Sequence, residues 1–149
     1  MKRVLVSRAL HSTAETATFA AEVAPLLKAG GVLLLLGGLG AGKTTFVQSL
    51  ARAYGIGRIV TSPTFTLANE YRLPDGSRLV HCDLYRLASP EGLYDLGLED
   101  ALECGWRLAI EWPEMAQRVL DMEVPERLVL RLTVDAAGVR HAELSEERV

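Results

Sequence analysis

The sequence predicts an α/β fold: a mixed β-sheet flanked by helices on both faces, with antiparallel strands toward the C-terminus. Three observations predict it. The apolar run Val32–Leu36 leads directly into the glycine-rich Gly37-Gly38-Leu39-Gly40-Ala41-Gly42-Lys43-Thr44, and that leads directly into a helical stretch, 45–54. Strand-like and helix-like segments alternate from the start of the chain, as a β-α-β-α unit requires. Two late strand segments flank a turn at 135–138, which folds the second back on the first.

Each element has a local cause. Residues 3–7 read as a short first strand. Ser12-Thr13-Ala14-Glu15 is an S-x-x-E capping box and opens a helix. Pro25 either stops that helix near Ala24 or kinks it as far as Lys28, and Gly30-Gly31 ends it in both cases. Val32–Leu36 is a buried strand, and Gly55 and Gly57 close the helix that follows the glycine-rich loop. Segments 65–73 and 78–85 read as strands, and Pro74-Asp75-Gly76-Ser77 between them makes a hairpin. Residues 90–101 read as one or two short helices. Arg107–Glu111 is a short buried strand with a polar end. Residues 113–120 form a helix with Pro113 in its first turn. The final strands are 127–133 and 140–144.

The 149 residues read as one domain, residues 1–149, with a core of ordinary size. A hydrophobic share of 49% beside 23% charged residues is that of a soluble globular chain. No apolar stretch approaches the roughly 20 residues of a membrane span. The N-terminus lacks the features of a signal peptide. Two cysteines, Cys82 and Cys104, make neither a disulfide framework nor a metal site, so a reduced cytoplasmic location is expected. The net charge of −3 and the scattered arginines argue against tight nucleic-acid binding by this chain alone.

Residues 37–44 match G-x-x-x-x-G-K-T, the phosphate-binding P-loop, in the strand-loop-helix context that gives the motif its meaning. The fold is therefore expected to be P-loop NTPase-like. Apart from Leu39, every residue from Gly37 to Gly42 is Gly or Ala, so backbone N–H groups can turn inward around phosphate oxygens. Gly38, Leu39, Gly40, Ala41, Gly42, Lys43, Thr44 and Thr45 are the expected nucleotide-binding residues. The helix adds its N-terminal donors and dipole. Lys43 should reach the β- and γ-phosphates, and the Thr44 hydroxyl should ligate Mg2+.

Such a site also needs a carboxylate at the end of a buried strand. Two segments offer one: Leu108-Ala109-Ile110-Glu111 and Leu79-Val80-His81-Cys82-Asp83. Which of Asp83 and Glu111 binds the metal directly is open at this level. Ser62-Pro63-Thr64 reads either as a switch-like segment that senses the γ-phosphate or as an ordinary Ser-Pro turn. Trp112, beside Glu111, reads either as core or as a shield over the metal site. His81 reads as a structural strand residue, and nothing fixes a role for His11. The one asparagine, Asn69, is followed by Glu70, so the Asn-Lys-x-Asp segment of guanine-specific sites is absent and ATP is expected.

Four segments together resemble the bacterial TsaE family, also called YjeE. They are the loop with the start of its helix (37–46), Ser62-Pro63-Thr64-Phe65-Thr66-Leu67, His81-Cys82-Asp83-Leu84-Tyr85-Arg86-Leu87 and Ile110-Glu111-Trp112-Pro113. The resemblance implies a small Mg2+-dependent ATPase required for threonylcarbamoyladenosine synthesis at position 37 of ANN-decoding tRNAs. It implies action with TsaB-like and TsaD-like partners, the latter carrying the transferase site, with ATP hydrolysis resetting the complex and tRNA met only through it. Residue by residue it places Lys43 on the phosphates, Thr44 and Glu111 on Mg2+, and Asp83 near the γ-phosphate or the attacking water. It also places Thr64 in the switch-like motif and Trp112 beside the metal. The chain has Gly38 where many members have Asp, and Cys82 where an aromatic is more usual.

Two other functions fit a bare P-loop. One is a small metabolite kinase, although the 89–101 stretch carries Glu91, Asp95, Glu99 and Asp100 and no arginine, which makes a poor lid. The other is an assembly switch that binds ATP without needing to hydrolyse it. No arginine finger is identifiable, so turnover is expected to be slow alone and faster with partners.

Overall fold

The computed structural model describes residues 1–58, 60 and 67–149. Seven strands form one sheet in the order β1-β7-β6-β2-β5-β4-β3. They are β1 (Lys2–Leu10), β2 (Val32–Leu36), β3 (Ala68–Arg72), β4 (Arg78–Asp83), β5 (Arg107–Glu111), β6 (Glu126–Val134) and β7 (Arg140–Arg148). The inner strands β6, β2, β5 and β4 run parallel. β3 pairs antiparallel on one side, and β7 then β1 pair antiparallel on the other. The mixed α/β sheet expected from the sequence is thus present, with its antiparallel parts at both flanks. β1 is longer than expected and lies at the sheet edge against the last strand, away from β2.

Burial on both faces follows from alternation along the central strands. Leu33, Leu35, Leu79, Ala109 and Leu130 point into one core, shared with helices α1 (Thr13–Val23) and α2 (Lys43–Ala53). Val32, Leu34, Val80, Leu108 and Ile110 point into the other, shared with α3 (Leu98–Glu103) and α4 (Gln117–Glu123). A fully buried leucine such as Leu33 contributes about 1.5–3 kcal/mol by its removal from water. α1 and α2 are locked together by the Phe19 and Phe46 rings, whose centroids are 5.8 Å apart.

The cap forms, with Ser12 Oγ accepting from the Glu15 amide at 3.1 Å, while the Glu15 carboxylate reaches one residue past the Ser12 cap to accept from the His11 amide at 3.1 Å. Pro25 does stop α1, which gives way to a 3₁₀ turn, Ala24–Leu26. The 90–101 segment becomes a 3₁₀ helix, Pro90–Leu96, followed by α3. The helix expected at 113–120 is divided into a 3₁₀ turn, Pro113–Ala116, and α4. β4 ends at Asp83, before the expected Tyr85, because Leu84 leaves the sheet to bury in the second core. The hairpin turn closes as its sequence dictates, with Asp75 Oδ1 accepting from the Ser77 amide at 2.9 Å and Gly76 at φ +88°. Among the described residues no helix is long and apolar enough to cross a membrane.

Candidate functional site

The glycine-rich loop leaves the C-terminal end of β2, in the middle of the parallel strands. Open α/β sheets bind ligands at this end. Gly40 at φ +77° and Gly42 at φ +100° hold backbone conformations that side chains resist. Gly42 is also the N-cap of α2, and it has no side chain to occupy the amides of the first helical turn. Leu39 stands at the tip of the loop, 78% exposed.

Lys43 and Thr44 begin α2 and face the ends of β5 and β4. Glu111 is the last residue of β5 and Asp83 the last of β4, and the two are direct register partners. Strand alternation puts both on the α2 side of the sheet. The Thr44 hydroxyl donates to Glu111, with Oγ1 3.1 Å from Oε2 and 3.3 Å from Oε1. Asp83 instead accepts from the Tyr85 amide at 3.1 Å. Thus the carboxylate coupled to Thr44 is that of Glu111, which is 3% exposed. His81 Nε2 lies 2.5 Å from Glu111 Oε2, with the ring fully buried.

Lys43 is buried and folded back. Its Nζ donates to the Gly37 carbonyl at 2.6 Å and sits 3.6 Å from the centre of the Trp112 ring. Burial holds its ammonium below the usual lysine pKa, while the negative charges of Glu111, Glu114 and Asp83 oppose that shift. Trp112 adopts a left-handed backbone, φ +57° and ψ +49°, immediately before Pro113. That conformation is costly for a bulky residue. It delivers the indole over Lys43 and against the Tyr85 ring, centroid to centroid 4.9 Å.

The structure therefore brings together Lys43, Thr44, Asp83, Glu111 and Trp112. Gly38, Leu39, Gly40, Ala41, Gly42 and Thr45 lie in the loop and first helical turn beside them. Thr64 lies outside the described residues, as does the rest of the Ser-Pro-Thr motif. Arg140, not singled out from the sequence, also belongs here. It begins β7, and its guanidinium lies on the loop, with Nε donating to the Ala41 carbonyl at 3.2 Å and Nη2 to that of Gly40 at 3.4 Å. Nothing in its sequence position marks it, because the antiparallel return of β7 alone brings it to the loop. Beside it is a cavity of about 240 Å³ lined by Ser12, Thr13, Thr16, Gly42, Thr45 and Arg140 among others. This cavity opens on the side of the loop away from Glu111. The larger concavity, about 790 Å³ around Gly31, Val32 and Glu126, lies at the opposite ends of the parallel strands.

Chemically, the arrangement suits a polyphosphate with a hard divalent cation. Glycines at positive φ form a cradle that a Cβ would spoil, and a lysine and a helix N-terminus point at it. A hydroxyl and a carboxylate already in contact are the oxygen donors that Mg2+ prefers. No group of three or more His, Cys, Asp or Glu side chains clusters for a metal among the described residues. A cation here would complete its shell with phosphate oxygens and water.

Comparison with known proteins places the chain in context. The sequence model of the family described as threonylcarbamoyl adenosine biosynthesis protein TsaE matches residues 10–142. The tRNA threonylcarbamoyladenosine biosynthesis protein TsaE of Treponema pallidum is 42% identical over 131 residues, 87% of this chain and 93% of that protein. That of Rickettsia bellii is 44% identical over 112 residues, 74% of this chain and 76% of that protein. The crystal structure of Bacillus subtilis YdiB superposes with a TM-score of 0.77 at 31% identity, covering 97% of this chain and 86% of that one.

Proposed function

Because the chain belongs to the TsaE family of tRNA threonylcarbamoyladenosine biosynthesis proteins, we propose that it binds and hydrolyses ATP with Mg2+ to drive a TsaB–TsaD-like transferase complex. The observation that carries this reading is the convergence of Lys43, Thr44 and Glu111 on one glycine cradle at the end of β2. The loop amides and the N-terminus of α2 hold the β- and γ-phosphates. Lys43 exchanges its Gly37 and Trp112 contacts for phosphate oxygens. Thr44 and Glu111 hold Mg2+, which supplies charge stabilisation on the phosphoryl oxygens. Asp83, one strand further out, orients the attacking water. The cavity beside Arg140 takes the nucleoside, with Ser12 and Thr13 as polar contacts.

Hydrolysis is then positioning and electrostatics, with no covalent intermediate on the protein. The 89–101 stretch favours hydrolysis over transfer to a metabolite, since Leu93, Leu98 and Ala101 bury it in the second core. A kinase lid must open and close.

The test is phosphate release from ATP by the purified chain, alone and with TsaB- and TsaD-like proteins, together with tRNA modification by the reconstituted set. Free phosphate as product, faster release with the partners, and loss of both activities in Lys43→Ala and Glu111→Ala are expected. Transfer of the γ-phosphoryl to a small acceptor would establish the kinase instead. Full tRNA modification by both variants would reduce ATP to an assembly signal.

A further inference from the structure

We propose that His81 is the positioning residue that fixes the Glu111 carboxylate for divalent-cation binding. This rests on the reading that Thr44 and Glu111 hold Mg2+.

Three observations support it. First, His81 occupies a fully buried place on the face of β4 where Leu79 is apolar, and its register partner on β5 is Ala109. An imidazole is a poor choice there unless it is bonded, because an unpaired buried polar atom costs free energy. Nδ1 has no hydrogen-bond partner among the described residues, so that cost is already present on one side of the ring. Second, Nε2 is engaged, and its partner is Glu111, the diagonal neighbour two residues along β5. Third, the two donors to Glu111 differ in kind. Thr44 reaches it with the same hydroxyl oxygen that a cation would claim, whereas the His81 ring makes no other hydrogen bond among the described residues. With Oε2 tied to the neighbouring strand at 2.5 Å, the carboxylate rotamer is set, and among the described residues Oε1 has only the longer 3.3 Å Thr44 contact. Metal-ligating groups are commonly oriented this way by a partner behind them.

Side-chain reach separates positioning from mere packing. The glutamine amide nitrogen extends about as far as Nε2, while that of asparagine stops short. His81→Gln and His81→Asn therefore bury the same amide and differ in whether it meets Glu111. Mn2+ is the probe: protein is saturated with ADP, and the free-ion electron paramagnetic resonance signal gives the metal affinity without turnover. In His81→Asn, affinity should fall about tenfold, and in His81→Gln it should stay within about threefold of wild type. ADP affinity without metal should be equal in all three. Wild-type Mn2+ affinity in His81→Asn, or equal losses in both variants, would overturn the proposal. Glu111→Ala is the control for the underlying reading. If it binds Mn2+ as wild type does, the metal site itself is misplaced and the role of His81 falls with it. A measurement on wild type covers the case of a variant that does not fold. The Nε2 proton should give a slowly exchanging downfield signal in 15N-histidine spectra that persists with ADP and Mg2+ present. Its disappearance on loading would show that the contact does not hold Glu111 in the working state.

Discussion

Gly37 and Gly38 are adjacent, and the structure makes opposite predictions for them. A Cβ at Gly37 would lie 2.7 Å from the Leu132 carbonyl oxygen on β6 and 3.1 Å from the Ala41 Cβ. The first contact is with backbone of the neighbouring strand, so relief requires β2 and β6 to part just where the loop begins. Overpacking of this kind costs about 1–3 kcal/mol. Taking about 2 kcal/mol and a chain of this size, Gly37→Ala should melt about 4–8 °C below wild type. It should also bind nucleotide more weakly, because the displaced residue is where the phosphate cradle leaves β2. A Cβ at Gly38 meets nothing within 4 Å, and its φ is not in the left-handed range. Gly38→Ala should therefore stay within about 0.5 kcal/mol of wild type, as surface substitutions usually do. Scanning calorimetry with ADP titration calorimetry reads both effects. Equal melting temperatures for the two variants would refute the assignment of Gly37 to the closely packed end of β2. A loss of several degrees in Gly38→Ala would refute the openness of the loop.

Two further outcomes follow from other parts of the molecule. Tyr54 at the end of α2 donates from its hydroxyl to the Ala24 carbonyl at 2.8 Å and the Leu27 carbonyl at 3.2 Å, so Tyr54→Phe should cost about 1 kcal/mol by urea unfolding. Burial, partly opposed by Arg107, pushes this phenol up to about 12, so its contribution is complete below the ordinary value near 10 and is lost as pH rises toward 12; the Phe variant should lack that alkaline decline. Arg140→Ala should weaken ADP binding about tenfold, the effect of losing one hydrogen bond to a charged group, with a fall in melting temperature no larger than about 3 °C. Unchanged ADP affinity would remove Arg140 from the site.

The sequence was most legible where the physics is local. The loop glycines, the S-x-x-E cap and the Pro-Asp-Gly-Ser turn each fix backbone geometry within a few residues, and each is found where its spacing puts it. The fold class followed from the alternation of strand-like and helix-like segments around the loop and from the late paired strands. Arg140 and the His81–Glu111 contact were not legible, because register between strands distant in sequence creates them. β4 beside β5 brings His81 to Glu111, and β7 folding back on β6 brings Arg140 to a loop a hundred residues earlier. Pro113 was read correctly as a helix start, yet the helix broke into a 3₁₀ turn and α4. The residue before a proline is pushed out of the right-handed helical region, and here Trp112 escapes into the left-handed one, which sends its indole toward Lys43.

That placement bears on why a site with every part of the proposed machinery would work slowly by itself. Around the loop, Lys43 is opposed by three carboxylates: Glu111, Glu114 and Asp83. A triphosphate entering alone would add several negative charges to a surplus already present, so a cation that offsets part of that charge favours its entry. Lys43 meanwhile is held by the Gly37 carbonyl and the Trp112 face, and a cation over a desolvated ring is worth about 2 kcal/mol. Any ligand must exceed that before it gains the lysine. The indole that holds Lys43 leans on Tyr85, which is half exposed at the rim. A partner that covered Tyr85 and shifted the Trp112 ring would free Lys43 for the phosphates without touching the nucleotide. Partner dependence can thus arise from the resting position of one lysine as readily as from an arginine supplied from outside.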